Sequence, residues 1–511
     1  MNLFFRPVRL AAAFLLPFLG LAVAFGQPSQ DRSRVRDEAD LARVTRWAQA
    51  GMGGRSVDRE LFQVQVGVGT SSLSQGFVSF SSLPEGPSSL IASGVGGTAV
   101  LARLFIPATG LFEVFLIYVP PTDPTLERPL LTAFHSFGIS HGSIATLTTY
   151  LRECQDRDWF LLAPIQSGGP GLSQVSYGSI NSQLHVEAVI GLMLEYYEID
   201  RDRLYGVGFS MGGGNVMSYA TRHRDRRKGA FAAIMNHTGT VSLADTYEFV
   251  PVSVRPIMET LFFGTPTDTP FEWTRASSIV LDSTSQLIPN ADHMAVNLTN
   301  IPIKTIYGIT DPNQYLIDQS IQLDAFFQSV GATNHILEPT PETTECPEGH
   351  CWNTADEFLV CEWLTTQTLN PNPTSGTILV DRSARWGRFD LQIDAQDAFG
   401  GLKFEVDPAA KSLTITGVRN LSEVAVDPSR IDLDVTGAFT VSVLSEELGG
   451  DDYRIRNYPA LPTGVERDGQ PVLADCAAPP GTPSWCYDRN TGDLVLYEPG
   501  GQVPAVWTIF P

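Results

Sequence analysis

A serine flanked by glycines carries the clearest chemistry in this sequence. It lies in Gly208-Phe209-Ser210-Met211-Gly212-Gly213-Gly214, after an apolar run at 203–207 that predicts a strand and before a run at 215–224 that predicts a helix. A sharp strand-to-helix turn needs nearly side-chain-free residues two before and two after its central residue. Such a turn lifts a hydroxyl clear of the backbone. The pattern therefore predicts Ser210 as a nucleophile.

A histidine and an aspartate later in the chain supply the partners that such a serine needs. A serine hydroxyl attacks a carbonyl only when a base takes its proton, and a histidine base needs a carboxylate that holds its tautomer. Asp311 follows a predicted strand at 303–307, and His350 lies in a loop before the last predicted helix. We expect Asp311 to orient His350 and His350 to activate Ser210. The alternative carboxylates are Asp318 and Glu338, and a helix N-cap is the structural alternative for Asp311.

Attack on a carbonyl also needs N–H donors for the oxyanion that forms. One is predicted to be the backbone N–H of Met211, directly after the nucleophile. The other is predicted in the loop after a strand at 130–134, from Phe137 first and Ser136 second. Three further side chains are predicted near the pocket: His135, His237 and Trp352. His135 is as well suited to packing within its turn as to direct contact.

Alternating strand and helix patterns between residues 99 and 369 predict a mostly parallel sheet covered on both faces. The predicted strands are 99–106, 112–119, 130–134, 159–165, 203–207, 230–235, 303–307 and 335–337. The predicted helices are 143–154, 182–197, 313–330 and a last one that begins at a capping box over 354–357.

An insertion at about 240–297 interrupts this alternation with scattered proline, threonine and aromatic residues. Its place between late strands puts it above the carboxyl edge of the sheet, where ligands bind in α/β folds. We interpret it as a cap. An excursion without substrate contact is the alternative.

The C-terminal part changes character after a Pro-rich linker at 370–376. Residues 377–511 show short alternating runs and almost no helical pattern, which predicts an all-β, sandwich-like domain. Adhesion to an insoluble polymer and stabilisation of the catalytic domain are two open roles for it.

The N-terminus and the overall charge indicate export. Residues 1–26 have the charged start, apolar run and Ala-x-Ala end of a signal peptide, and 27–98 form a lead-in with extra strands. The 511 residues carry 56 acidic against 34 basic side chains, a net charge of −22 that argues against a nucleic-acid partner. No membrane span is predicted after signal removal. A secreted or periplasmic location follows.

Six cysteines in an exported chain predict disulfides. Cys476 and Cys486 enclose a Pro/Gly-rich loop and are predicted to pair. The other four are Cys346, Cys351 and Cys361, which cluster, and Cys154, which either pairs or remains a buried thiol.

Three segments resemble secreted α/β-hydrolases of the polyhydroxybutyrate-depolymerase and feruloyl-esterase type. These are 202–213, 300–311 and 349–352, within a similarity that covers about residues 110–370. The resemblance implies an α/β-hydrolase fold, a Ser210–Asp311–His350 triad and ester hydrolysis. His135-Ser136 stands where the family has His-Gly. No metal-binding or nucleotide-binding motif accompanies the triad, so no cofactor or metal is predicted.

The predicted function is a secreted serine esterase whose substrate is a small-molecule or polymeric ester. Two alternatives stay open. The first is a serine peptidase of the prolyl-oligopeptidase type, although only about 100 residues precede the catalytic sheet where that family has a propeller. The second is a binding or surface protein with a vestigial hydrolase core.

Overall fold

The computed structural model describes residues 98–121, 126–172, 174–344, 346–370, 372–445, 451–478, 481–500 and 503–511. The predicted signal peptide and nearly all of the predicted lead-in lie outside these residues.

The catalytic region is built on one eight-stranded mixed sheet. Its strands are β1 (Thr98–Ile106), β2 (Leu111–Val119), β3 (Arg128–Phe134), β4 (Phe160–Pro164), β5 (Ile199–Phe209), β6 (Ala233–His237), β7 (Ile303–Gly308) and β8 (His335–Thr340). Their order is β1-β2-β4-β3-β5-β6-β7-β8. β1 and β2 pair antiparallel and β2 pairs antiparallel with β4, while all pairs from β4 to β8 are parallel. This order, with a strand–turn–helix after β5, is the α/β-hydrolase fold.

Nine α-helices lie in the described part of the chain. They are α1 (Ser143–Thr146), α2 (Tyr150–Asp156), α3 (Ile180–Tyr196), α4 (Met211–Arg222), α5 (Leu243–Phe249), α6 (Arg255–Phe262), α7 (Pro270–Ala276), α8 (Gln314–Ser329) and α9 (Glu357–Thr365). Strands β3 to β6 are almost wholly buried apart from the first half of β5, because helices cover both faces of the parallel sheet.

Two helix predictions need correction. The predicted helix 143–154 is broken into α1 and α2, because the Thr148 hydroxyl donates to the carbonyl of Ile144 and accepts from the N–H of Tyr150. A side chain that bonds the nearby backbone in this way competes with the helix. The predicted capping box at 354–357 is wrong, since Asp356 is the N-cap of α9 and accepts from the N–H of Leu359.

The segment between β6 and β7 contains helices α5, α6 and α7. An apolar cluster joins these helices to Met211 of the nucleophile turn and to Tyr177. Its other buried members are Leu243, Val250, Met258, Leu261, Phe262, Trp273 and Ala276. The inserted helices are therefore packed directly against the turn that carries Ser210.

The C-terminal region is a sandwich of two β-sheets around its own apolar core. One sheet, in spatial order, has β10 (Ala384–Trp386), β11 (Phe389–Ile393), β14 (Leu421–Val426), β16 (Asp451–Ile455), β20 (Asp493–Glu498) and β19 (Ser484–Asp488). The other has β18 (Gln470–Pro471), β17 (Gly464–Arg467), β21 (Ala505–Phe510), β15 (Phe439–Ser445), β13 (Ser412–Arg419), β12 (Gly400–Asp407) and β9 (Ser375–Val380). The prediction of an all-β domain is confirmed, with β9 beginning inside the predicted linker.

The sandwich is joined to the catalytic region by buried polar contacts. Arg222 at the end of α4 forms a fully buried ion pair with Asp381, with Nη2 2.7 Å from Oδ2. The side chain of Asn297 donates to the carbonyls of Thr221 and Leu379 and accepts from the N–H of Leu379. The two regions therefore share a specific interface.

Two disulfides are present, Cys346–Cys351 and Cys476–Cys486. The second is the predicted pair. Cys154 and Cys361 are buried thiols. Among the described residues, no helix is long and apolar enough to span a membrane.

Candidate active site

The nucleophile turn is formed by close contacts between backbone segments. Ser210 lies between β5 and α4 with φ 56° and ψ −122°, a conformation that non-glycine residues rarely adopt. Its N–H donates to the carbonyl of His237 over 2.8 Å. A Cβ on Gly208 would lie 2.1 Å from the carbonyl oxygen of Gly212, and a Cβ on Gly212 would lie 2.1 Å from that of Phe134. Both glycines are therefore required by space, as the sequence pattern predicts.

The structure brings Ser210, His350 and Asp311 into one hydrogen-bonded series. The Nδ1–H of His350 donates to Oδ2 of Asp311 over 2.6 Å. The Ser210 hydroxyl donates to Nε2 of His350 over 3.2 Å. Ser210 is 8% exposed and Asp311 is 4% exposed, whereas the His350 side chain is 21% accessible, so the acid is shielded from bulk water and the base is partly open to it. This arrangement can remove the serine proton and hold the imidazole in the tautomer that does so.

The loops that carry the acid and the base touch each other. A Cβ on Gly308, at the end of β7, would lie 2.2 Å from the carbonyl oxygen of Gly349. Oδ1 of Asp311 accepts from the N–H of Asn313 at the start of α8, which leaves Oδ2 for His350. Asp311 thus also organises the turn into α8, but the N-cap of that helix is Asn313, so the N-cap alternative for Asp311 is wrong.

The two alternative carboxylates are engaged elsewhere. Oδ1 of Asp318 accepts from the side chain of Gln314 over 3.0 Å. Oε2 of Glu338 lies 2.9 Å from Nζ of Lys304 in an ion pair. Neither meets His350.

Three groups predicted for the oxyanion site lie around the nucleophile turn. Met211 is the first residue of α4, where N–H groups have no partner inside the helix. The loop after β3 contacts this helix start at Gly212, and in it neither Ser136 nor Phe137 donates its N–H to a backbone carbonyl of the described residues. Both N–H groups therefore remain candidates for the second donor.

His135 anchors the loop after β3 instead of lining an open pocket. Its ring is fully buried, with Nδ1 2.8 Å from the carbonyl oxygen of Ser136 and Nε2 2.8 Å from that of Ile165. Burial, opposed by the carbonyls of Ile165 and Ser136, lowers the pKa of His135. The packing role is the one that the structure supports.

His237 and Trp352 are likewise buried beneath the site, so their predicted place in an open pocket is corrected. Nε2 of His237 lies 2.5 Å from the hydroxyl of Thr354, and burial, followed by the charge of His350, lowers the pKa of His237 to about 3. The ring of Phe209 lies 4.8 Å from that of His350 and 5.2 Å from that of Trp352. These rings pack against the ring of His350 from inside the protein.

Aromatic side chains from distant segments pack in pairs near the loops of the triad, and sequence patterns did not identify most of them. Phe137, 37% exposed, packs its ring 5.9 Å from that of Tyr177, which has φ 44°. Phe249 of α5 stacks on Tyr315 of α8 at 5.3 Å. Burial, followed by the charge of Asp311, raises the pKa of Tyr315 to about 12. In the sequence, only the nearby glycines distinguish Tyr177, because the residues that its ring contacts come from distant segments.

No protein-family model matches this chain, and no curated protein matches it. Solved structures do match it. FphF, a fluorophosphonate-binding serine hydrolase of Staphylococcus aureus, is 11% identical with a TM-score of 0.40, over 53% of this chain and 99% of that chain. A ferulic acid esterase is 14% identical with a TM-score of 0.36, over 53% and 98%. The acylaminoacyl peptidase of Pyrococcus horikoshii is 13% identical with a TM-score of 0.39, over 56% and 44%.

By name, these matches are a serine hydrolase, an esterase and a peptidase. At such low identity no activity carries over from them. The strand order and the nucleophile turn, described above, identify the α/β-hydrolase fold of this chain.

Proposed function

We propose that this protein is a serine hydrolase that cleaves carboxylic esters through an acyl-enzyme. The observation that carries the proposal is the series from Ser210 through His350 to Asp311, with 3.2 Å and 2.6 Å between the bonded atoms. A hydroxyl, a base and an orienting carboxylate at these distances have the geometry needed for acyl transfer.

In the proposed reaction, Ser210 Oγ attacks the ester carbonyl while Nε2 of His350 takes its proton. Asp311 accepts from Nδ1–H and stabilises the imidazolium. The N–H of Met211, with that of Phe137 or Ser136, binds the oxyanion. His350 then passes the proton to the departing alcohol. A water molecule, activated by the same base, releases the acid from the serine.

The surroundings of the triad support a substrate with an apolar or aromatic part. Phe137, in the loop of the predicted oxyanion donors, is 37% exposed, and Ile309, two residues before Asp311, is 55% exposed. Phe249, which stacks on Tyr315 of α8, is 54% exposed. Beneath them, the buried apolar cluster packs the inserted helices against Met211. Esters of aromatic acids and polyesters both carry such apolar groups, and both agree with the sequence resemblance.

Export is part of the proposal. Disulfides persist in oxidising compartments, so the pairs Cys346–Cys351 and Cys476–Cys486 support a secreted or periplasmic location. Whether the β-sandwich also holds an insoluble polymer stays a prediction, tested by pull-down of the full-length protein on cellulose, xylan and polyester.

The activity is tested with purified protein on p-nitrophenyl butyrate, methyl ferulate and an aminoacyl-p-nitroanilide. The proposal expects turnover of the esters and far slower turnover of the anilide. Preference for the anilide would favour the peptidase alternative. No turnover of any substrate, together with an unreactive Ser210, would favour a binding protein with a vestigial core.

A further inference from the structure

A cavity of about 360 Å³ lies between the catalytic region and the β-sandwich, away from the triad. Its wall on the catalytic side begins at Arg224, just beyond the last residue of α4. Helix α4 starts at Met211, beside the nucleophile, and its twelve residues span about 18 Å. The cavity therefore lies at the opposite end of this helix from Ser210. Its volume falls in the range of small-molecule sites.

Positive side chains dominate the lining of this cavity although the chain is strongly acidic. Six arginines line it against one acidic residue, Asp225, in a protein of net charge −22. The arginines are Arg224, Arg226, Arg227, Arg385, Arg388 and Arg430. Such a concentration of guanidinium groups favours an anionic ligand.

Four of these arginines have carboxylate partners of their own. The pairs are Arg226 with Asp202, Arg227 with Asp225, Arg385 with Asp390, and Arg430 with Asp390 and Asp427. These four contribute positive potential to the cavity, but their charges are compensated within the protein.

Arg224 is different. It forms no ion pair and no side-chain hydrogen bond with any residue that the structure describes, and its Nη1 is buried without an acceptor. Burial lowers the pKa of Arg224 to about 10, still well above neutral pH, so the side chain remains charged. The residue as a whole is half-buried and has no carboxylate partner among the described residues. Arg222, two residues earlier, has such a partner in Asp381.

Arg388, on the sandwich side of the cavity, is 6% exposed. Its Nη2 donates over 2.9 Å to the amide oxygen of Asn372, a neutral acceptor. Burial, opposed by the charge of Asp432, lowers the pKa of Arg388 to about 10. A buried guanidinium that already has hydrogen-bonding partners therefore lines the same cavity as Arg224.

The rest of the lining has a polar and an apolar part. Trp386 and Phe389 of the β10–β11 hairpin form the apolar part together with Phe404 and Ile378. This part suits a ring or an alkyl chain. The polar part consists of Asn297, Thr299, Asn300, Asn370, Asn372, Thr377 and Ser429.

We propose that this cavity binds a monocarboxylate with an apolar or aromatic body. A single unpaired guanidinium calls for one negative charge, and a carboxylate supplies it through charge-assisted hydrogen bonds. The body of the ligand lies against the aromatic wall. This site is independent of the proposed ester hydrolysis.

The test is isothermal titration calorimetry of the full-length protein with sodium benzoate, at an ionic strength held constant with sodium chloride. Benzamide serves as the neutral isostere and inorganic phosphate as a second anion. Benzoate is expected to bind saturably, benzamide not to bind, and phosphate to bind at least tenfold more weakly than benzoate.

The variant R224Q is expected to weaken benzoate binding at least tenfold. The matched control is R203Q, which removes a guanidinium that is paired with Asp200 and lies outside the cavity lining; it should bind benzoate like the wild type. S210A should also bind benzoate normally, which separates this site from the catalytic one.

Thermal unfolding without ligand checks that R224Q is folded. Because Arg224 has no ion-pair or hydrogen-bond partner among the described residues, R224Q should keep the wild-type Tm, whereas loss of an arginine that holds the interface together would lower it. The proposal is overturned if benzoate shows no saturable binding, if R224Q binds it as tightly as the wild type, or if phosphate binds more tightly than benzoate.

Discussion

The two ends of helix α4 are fixed in different ways. At its start, Ser210 and Met211 are placed by backbone packing, with Gly212 pressed against the carbonyl of Phe134. At its end, Arg222 is placed by a buried charge pair with Asp381. The start of α4 thus depends on glycines that lack side chains, and its end depends on the particular pair of Arg222 and Asp381.

This difference indicates which properties each end controls. Backbone packing at the start fixes the direction of one hydroxyl and one N–H, so changes there should alter the rate of reaction. The buried pair at the far end joins two regions of the molecule, so changes there should alter the free energy of unfolding. The following predictions test that separation.

The largest expected effect is on activity. Ser210→Ala should lower kcat for p-nitrophenyl butyrate by about 10⁶-fold, because triad residues act as a unit and loss of the nucleophile removes their joint contribution. The free energy of unfolding, from urea denaturation, should change little. A kcat near that of the wild type would show that Ser210 is not the nucleophile.

The next effect is on stability, at the other end of the helix. Arg222→Met leaves Asp381 buried without its main partner and should cost about 3–5 kcal/mol of unfolding free energy. Burial alone would raise the pKa of Asp381, but Arg222, with Arg382 and Arg275, reverses this and lowers it. Urea denaturation followed by tryptophan fluorescence measures the loss.

The matched control for this prediction is Arg203→Met. Its pair with Asp200 is partly exposed, with the arginine side chain 39% accessible. Exposed pairs contribute about 0–1 kcal/mol. Equal losses in the two variants would contradict the stabilising role assigned to the interface.

A smaller effect is expected from Gly212→Ala. The new Cβ would lie 2.1 Å from the carbonyl oxygen of Phe134 and 2.6 Å from that of His135, so the loop after β3 must move. Displacing one oxyanion donor costs about 10²–10³ in kcat. Gly142→Ala is the control, since its nearest atom would be Ser140 Oγ at 3.5 Å, and it should keep wild-type kcat.

Local patterns were enough to predict the nucleophile end of this helix. Gly208 and Gly212 flank Ser210 because the turn leaves no room for a side chain at either position, and this can be read from the residue types alone. Asp311 and His350 could be placed because parallel strands β7 and β8 end at the same edge of the sheet. The break between α1 and α2 was not predicted, because it depends on which backbone groups the Thr148 hydroxyl bonds.

The far end could not be predicted in this way. The basic run from Arg222 to Lys228 is visible in the sequence, but its partners are scattered. Asp202 and Glu187 lie in the same region as the run, and Asp381 lies in the β-sandwich region. Whether a given arginine is paired depends on contacts that no periodicity encodes. His237 and Trp352 could not be placed for the same reason, since a residue near a predicted site can either line the pocket or pack behind it.

The smallest effect concerns the buried carboxyl of Glu357, which forms no ion pair with any described residue. Burial raises the pKa of Glu357, at the start of α9, from 4.5 to about 7. The folded state therefore loses stability as the pH rises from about 4.5 to 7, by about 3 kcal/mol in total. Glu357→Gln should remove this loss, being more stable than the wild type at pH 8 and similar at pH 4.5.

Thermal unfolding at both pH values measures this effect, with the exposed Glu405→Gln as control. A stability difference for Glu357→Gln that is the same at both pH values would contradict the origin given for it.

The most direct test of the catalytic series is covalent labelling of the wild-type protein with a fluorophosphonate, located by peptide mass spectrometry. The account predicts one adduct, on Ser210, whose rate of formation falls strongly in His350→Ala and is unchanged in Arg203→Met. An adduct on another residue, or labelling of Ser210 at the same rate without His350, would contradict it.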